Sequence, residues 1–348
     1  MSVMEYLELD YTEIQTMVEE LLPGQADLTF GELVQMLVSG DMQGLGEGIR
    51  RVGAWLVRTV TVPVEQAAKI LLILLLAALF TNVSKAFSNR GVSRIGYLCV
   101  YLLLTVHIAG GFSVSFRMVQ EGLQSVLQFT GILVPTYCIS IAFLTGSITA
   151  AGYYQGTVFL IGVLQCLVRV LFLPLTQAYL LISFASCIQK KPVFTRLLEL
   201  LETIFSWAQK TLLGLVIAMS SVQGFLLPAI DQVKRNAVIK TASAIPGVGQ
   251  SIEGAWETVM GAAVVLKNAV GIGGVCLLFA IAGVPLCNLL LRFLLYKVLA
   301  AVAEPVTEDT LEQFLVHAGV AHRMLLQILF LAVLLFLILL MVMTRISS

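Results

Sequence analysis

Polar groups that could carry chemistry are few in this chain, and the densest set lies between residues 246 and 274. Pro246, Gly247 and Gly249 break the chain there. A helix-forming stretch follows, with Glu253 and Glu257 four residues apart and hence on one helix face. Further on, Lys267 and Asn268 precede Gly271, Gly273 and Gly274 at the start of a long apolar run. A lysine, an amide and a flexible glycine break at membrane depth suit a polar passage or a hinged junction with a partner helix, because irregular backbone there must be buried in protein or line a wet cavity. A plainer reading stands beside it. Glycines let helices approach closely, and a lysine near a helix end reaches the interface at small cost.

Arg169 is the most exposed intramembrane charge, inside an apolar stretch from 157 to 188 that also holds Gln165, Pro174 and Gln177. An ionisable group in a span is by default a functional candidate. If the stretch is instead a hairpin broken at Pro174, Arg169 lies near the turn and reaches the headgroups. One long kinked helix is the alternative.

Enzymatic chemistry finds no support. No H-E-x-x-H or G-x-S-x-G motif occurs, aspartates stand only at 10, 27, 41, 231 and 309, and the glycine-rich PGVGQ and GIGGV lack the G-K-[ST] of a phosphate loop. His107, His317 and His322 are too scattered for a metal site. Cys99, Cys138, Cys166, Cys187, Cys276 and Cys287 are isolated in apolar sequence with no C-x-x-C, so they read as packing residues. No catalytic residue, cofactor or metal is expected.

The elements that must position these groups are membrane helices. Of 348 residues 58% are hydrophobic and 12% charged, with a mean hydropathy of +0.94, against roughly a quarter charged in soluble domains. The 21 basic and 21 acidic residues cancel, and no basic tract invites nucleic acid. The expected fold is all-α, a polytopic helical membrane protein. About seven hydrophobic spans are expected, near 67–83, 95–112, 126–150, 157–188, 211–230, 262–291 and 324–343, some of them re-entrant or broken. They make up a membrane domain, 67–348.

Residues 1–66 form an amphipathic helical N-terminal segment. Its first 49 residues carry ten acids and no lysine or arginine, and LTFGELVQMLVSGD (28–41) reads as a short helix with Thr29 as cap and Glu32 three residues on. A second amphipathic stretch, 48–66, carries Arg50, Arg51, Trp55 and Arg58 at headgroup level. Lys85, Arg90 and Arg94, with no acid between, place the loop 85–94 in the cytoplasm and the acidic N-terminus outside. Net positive flanks on both sides of 211–230 leave the later topology open.

Several segments in order, LVQMLVSGD (33–41), LFTNVSKAF (79–87), YLLL (101–104), LVPTY (133–137), SVQG (221–224) and above all IPGVGQSIEGAWETVMGAAVVLKNAVGIGGV (245–275), resemble the stage III sporulation protein AE family of endospore-forming bacteria. The resemblance covers roughly 28–343. It implies a non-enzymatic, polytopic subunit of the mother-cell membrane around the forespore. Its partners would be the other subunits of a channel-like or feeding-tube assembly, a forespore membrane partner and membrane lipid, with homo-oligomers also open. Members usually begin with a signal sequence, and an acidic, arginine-free start suits the far side of the membrane after such a leader. A stand-alone secondary transporter of a small solute is the alternative, with helix breaks at Pro174 and Gly271–Gly274 framing a midplane site.

Overall fold

A computed structural model describes residues 12–21, 29–61, 63–87, 90–145, 147–188, 194–242, 249–305, 307 and 309–345. These residues are almost all helical, and no strand occurs among them. The helices are α1 (Thr12–Leu21), α2 (Phe30–Ser39), α3 (Met42–Thr59), α4 (Val64–Phe87), α5 (Arg90–Thr145), α6 (Ser147–Leu167), α7 (Leu173–Ile188), α8 (Thr195–Ala242), α9 (Gly249–Ala303) and α10 (Asp309–Arg345). Among the described residues six helical stretches are long and apolar enough to cross a membrane. This is a polytopic helical membrane protein.

Two of the expected spans share one helix. Segments 95–112 and 126–150 were separate spans by hydropathy, yet α5 carries the chain as one helix of 56 residues through the polar stretch between them. At 1.5 Å per residue it is ~84 Å long, well beyond the ~30 Å hydrocarbon layer. Residues 113–125 hold no proline and one glycine, and they continue a buried seam of Phe112, Ser115, Val119, Leu123 and Val126 at three- and four-residue spacing. Arg117, Gln120 and Glu121 meanwhile point outward and are exposed. Packing of the inner face holds the helix where hydropathy suggested a loop.

The 157–188 stretch is likewise one rod. Alpha-helical turns pass into a π-bulge at Val168–Phe172 and resume as α7, with Pro174 in its first turn. Proline has no N–H to bond the carbonyl four residues back, and the wider turn of the bulge accommodates that gap. The hairpin alternative is therefore replaced by a continuous helix.

At the centre stands α10, with 61% of its apolar window buried against 22% for α8. It pairs with α9 as an antiparallel hairpin, whose turn is closed by Glu304 N–H to Ala300 O at 3.0 Å and Thr307 N–H to Ala303 O at 2.9 Å. Helix α5 packs on both, α4 and α6 flank α5, and α7 and α8 close the other side of α10.

The N-terminal helices belong to this bundle. Thr29 caps α2 with the expected reciprocal box: Glu32 N–H donates to Thr29 Oγ1 at 3.1 Å, and Thr29 N–H donates to Glu32 Oε2 at 3.2 Å. Gly40 ends α2 at φ 71°, a left-handed cap that only glycine adopts freely. Asp41 then caps α3 by accepting from Gly44 N–H at 3.0 Å. Ile14, Met17, Phe30, Leu33 and Val34 are buried, and α1 docks on α5 while α2 docks on α9. The apolar stripe of these short helices draws them out of water and onto the membrane bundle.

Candidate functional site

Along α9 the glycines mark where other helices touch. The helix runs through Gly271, Gly273 and Gly274 without interruption, so the expected break is absent. The backbone bonds of a helix do not need a Cβ, and all three glycines are buried. A Cβ on Gly273 would stand 3.1 Å from the Phe30 ring of α2, and one on Gly274 would stand 2.6 Å from Leu133 Cδ2 of α5. About two and a half turns further on, a Cβ on Gly283 would meet Leu56 of α3 at 2.8 Å. Gly273, Gly274 and Gly283 are thus notches, each seating one large apolar side chain from a different helix.

The remaining residues singled out by sequence divide as follows. Asn268 is exposed on α9 near the glycines. Lys267, Glu253 and Glu257 lie on the same helix, and their side chains fall outside the described set. Gly249 is the first residue of α9, while Pro246 and Gly247 lie outside the described residues. Arg169 sits in the π-bulge with its side chain exposed, on a different helix from the glycine run.

Two interior polar clusters escaped the sequence reading. The first joins α4, α9 and α10. On α9, Asn288, Arg292 and Tyr296 recur every four residues and so share a face. Asn288 Oδ1 accepts from Thr61 N–H at 2.9 Å. Gln66 of α4 bridges the other two: it donates from Nε2 to Tyr296 Oη at 2.8 Å and accepts at Oε1 from Arg292 Nη1 at 2.8 Å. Tyr296 is wholly buried, its ring 4.5 Å from that of His322. His322 Nδ1 bonds Ala318 O at 2.8 Å. A carbonyl only accepts, so Nδ1 carries the proton, and Nε2 is a buried acceptor without a bond.

The second cluster joins α7, α8 and α10. Tyr179 Oη lies 3.0 Å from Glu202 Oε1 and 2.9 Å from His317 Nδ1. The carboxylate can only accept, so the phenol donates to it and takes its own bond from His317. Arg323 Nη2 completes the chain by donating to Glu202 Oε2 at 3.1 Å. His322 and Arg323, neighbours in sequence, send α10 into the two clusters on opposite sides.

These groups hydrogen-bond one another, and such bonds between helices in a bilayer fix register at modest gain, ~0.6 kcal/mol on average. Among the described residues no three His, Cys, Asp or Glu side chains converge to hold a metal, and Cys138 and Cys187 are buried without a disulfide. The signal that could have found the clusters is the one that singled out Arg169: Arg292 and His322 are also ionisable groups inside apolar runs.

Comparison with known proteins adds a lineage to this geometry. No solved structure matches the chain. A curated relative, the stage III sporulation protein AE of Bacillus subtilis (strain 168), is 26% identical over 296 residues, which is 85% of this chain and 73% of the relative. The family model for stage III sporulation protein AE matches residues 16–347. Across nearly its whole length, from α1 to the end of α10, this membrane chain belongs to the stage III sporulation protein AE family, a family of spore formation.

Proposed function

We propose that the chain is a non-enzymatic membrane subunit of the assembly that links mother cell and forespore, needed for late forespore development. Its seat is the mother-cell membrane around the forespore, with the acidic N-terminus outside the cytoplasm and the loop 85–94 within it. The observation that carries the reading is how the interior polar groups are used. Gln66, Arg292 and Tyr296 tie α4 to α9, and Tyr179, Glu202 and Arg323 tie α7 and α8 to α10. Polar side chains spent on helix register build a frame for neighbours rather than a reaction centre.

The periphery suits such a frame. Val57, Val106, Val170, Leu181 and Trp207 are all more than 60% exposed, large apolar groups that lipid or other membrane subunits would cover.

The test uses a strain that lacks the gene. The chain is expressed there either from a promoter active only in the mother cell or from one active only in the forespore, and heat-resistant spores are counted. Rescue from the mother cell alone is expected. Rescue from the forespore alone would overturn the proposed seat.

A further inference from the structure

A cavity of about 270 Å³ opens between α9 and α10, several times the ~30 Å³ share of one water in the liquid. Ala300, Ala301 and Gly319 line it with nothing larger than a methyl, which keeps the space open. Lys297 and Arg323 enter it at one height. The Tyr296 and His322 rings meet with centroids 4.5 Å apart, and the residues that follow them, Lys297 and Arg323, both line the cavity. The rise per residue is ~1.5 Å, so on antiparallel helices the two cations stand within about 3 Å of the same level.

Their charge is not used up within the chain. Lys297 Nζ sits 5.2 Å from the centre of the Phe293 ring, and among the described residues no carboxylate pairs with it. Arg323 gives Nη2 to Glu202 at 3.1 Å, and its Nε is buried without a bond. Set against the one carboxylate of Glu202, the pair leaves a net positive charge at the cavity. The acids at the turn end do not cancel it. Glu304 is exposed to solvent about two helical turns, ~10 Å, from Lys297 along α9, at the reach of salt screening. Glu312 stands about three turns, ~16 Å, from Arg323 along α10 and has an interaction of its own.

We propose that this cavity binds a phosphodiester group between Lys297 and Arg323. Such a group carries one negative charge, which matches the charge left over, and two unesterified oxygens, one for the ammonium and one for the guanidinium. Basic pockets between membrane helices take lipid headgroups by this chemistry. Leu290, Leu294 and Val298 run beside Lys297 as an exposed apolar row at four-residue spacing along α9. Acyl chains joined to the phosphate would lie along that row, so a phospholipid is the source the surface favours over a soluble ester.

The test is native mass spectrometry of the full chain, delipidated in mild detergent and offered phosphatidylglycerol or diacylglycerol with the same acyl chains. Wild type retains the phosphate-bearing lipid at least about fivefold more strongly, the gain of one well-placed ionic contact. Lys297→Gln removes most of that preference, and Ala301→Phe removes it by filling the cavity with both cations in place. Arg58→Gln, a charge lost from the exposed face of α3, leaves it unchanged. Equal retention of the two lipids by the wild type overturns the proposal, and this arm needs no variant to fold. A preference that survives Lys297→Gln and Ala301→Phe overturns it, and so does one that falls as far in Arg58→Gln. Glycerophosphoglycerol, the same headgroup without chains, identifies the source: it is expected not to displace the lipid at equal concentration. Displacement there supports the phosphodiester site and assigns it to a soluble ester instead.

Discussion

Gln66 of α4 lies so close over Gly111 of α5 that a single methyl at 111 would collide with its amide nitrogen, the same nitrogen that donates to Tyr296. The three-helix contact of α4, α5 and α9 therefore depends on the absence of one carbon.

Gly111→Ala should displace Gln66 and leave Tyr296 and Arg292 without their bridge, destabilising the purified chain by about 1–3 kcal/mol. With Gln66→Ala in the background, Gly111→Ala should cost little more, because only the Tyr296 hydroxyl, 3.1 Å away, then has to give. Unfolding in mild detergent of the two single variants and the double variant reads the coupling. Additive effects would show that Gln66 and Gly111 do not meet.

Gly273→Leu should push Phe30 out of its notch and loosen α2 from α9, while the chain still inserts in the membrane. Protease cleavage within residues 12–40 should speed up and spore yield should fall. Gly274→Val overpacks against buried Leu133 and should cost about 1–3 kcal/mol without freeing α2. Cleavage rates that do not separate the two variants would refute the assignment of each notch to its own helix.

Glu202→Ala removes the acceptor shared by Tyr179 and Arg323. The carboxylate is 34% and the guanidinium 43% exposed, so solvent screens the charge part, and the loss should lie at the low end of about 1–3 kcal/mol. Arg323→Ala in the Glu202→Ala background should cost less than it does alone. Thermal unfolding of the four-member cycle measures this.

His322→Phe exchanges a ring with one unbonded buried nitrogen for an apolar ring in the same aromatic stack with Tyr296 and Phe112. Stability should stay within about 1 kcal/mol of the wild type or rise, and spore yield should be kept. Loss of spores from a chain of unchanged stability would assign His322 a role beyond packing.

What the sequence made legible was local. The box of Thr29 and Glu32 showed because its residues are three apart, and the apolar runs showed because a membrane span is contiguous. The continuity of α5 did not, since hydropathy weighs Arg117 and Glu121 but not the inner seam of Ser115, Val119 and Leu123. The polar clusters were hidden by distance along the chain: Gln66 and Tyr296 are 230 residues apart, and no spacing rule links them. The glycines of 271–274 were visible, yet whether they open a hinge or seat a neighbour depends on what lies opposite, here Phe30 and Leu133.

The central claim, membership in an assembly across two membranes, is tested most directly by purifying the tagged chain from sporulating cells in mild detergent and identifying what comes with it. The account predicts recovery in a large complex that contains proteins of both the mother-cell and the forespore membranes. Recovery alone, as a monodisperse monomer or homo-oligomer, would contradict it and favour a stand-alone permease.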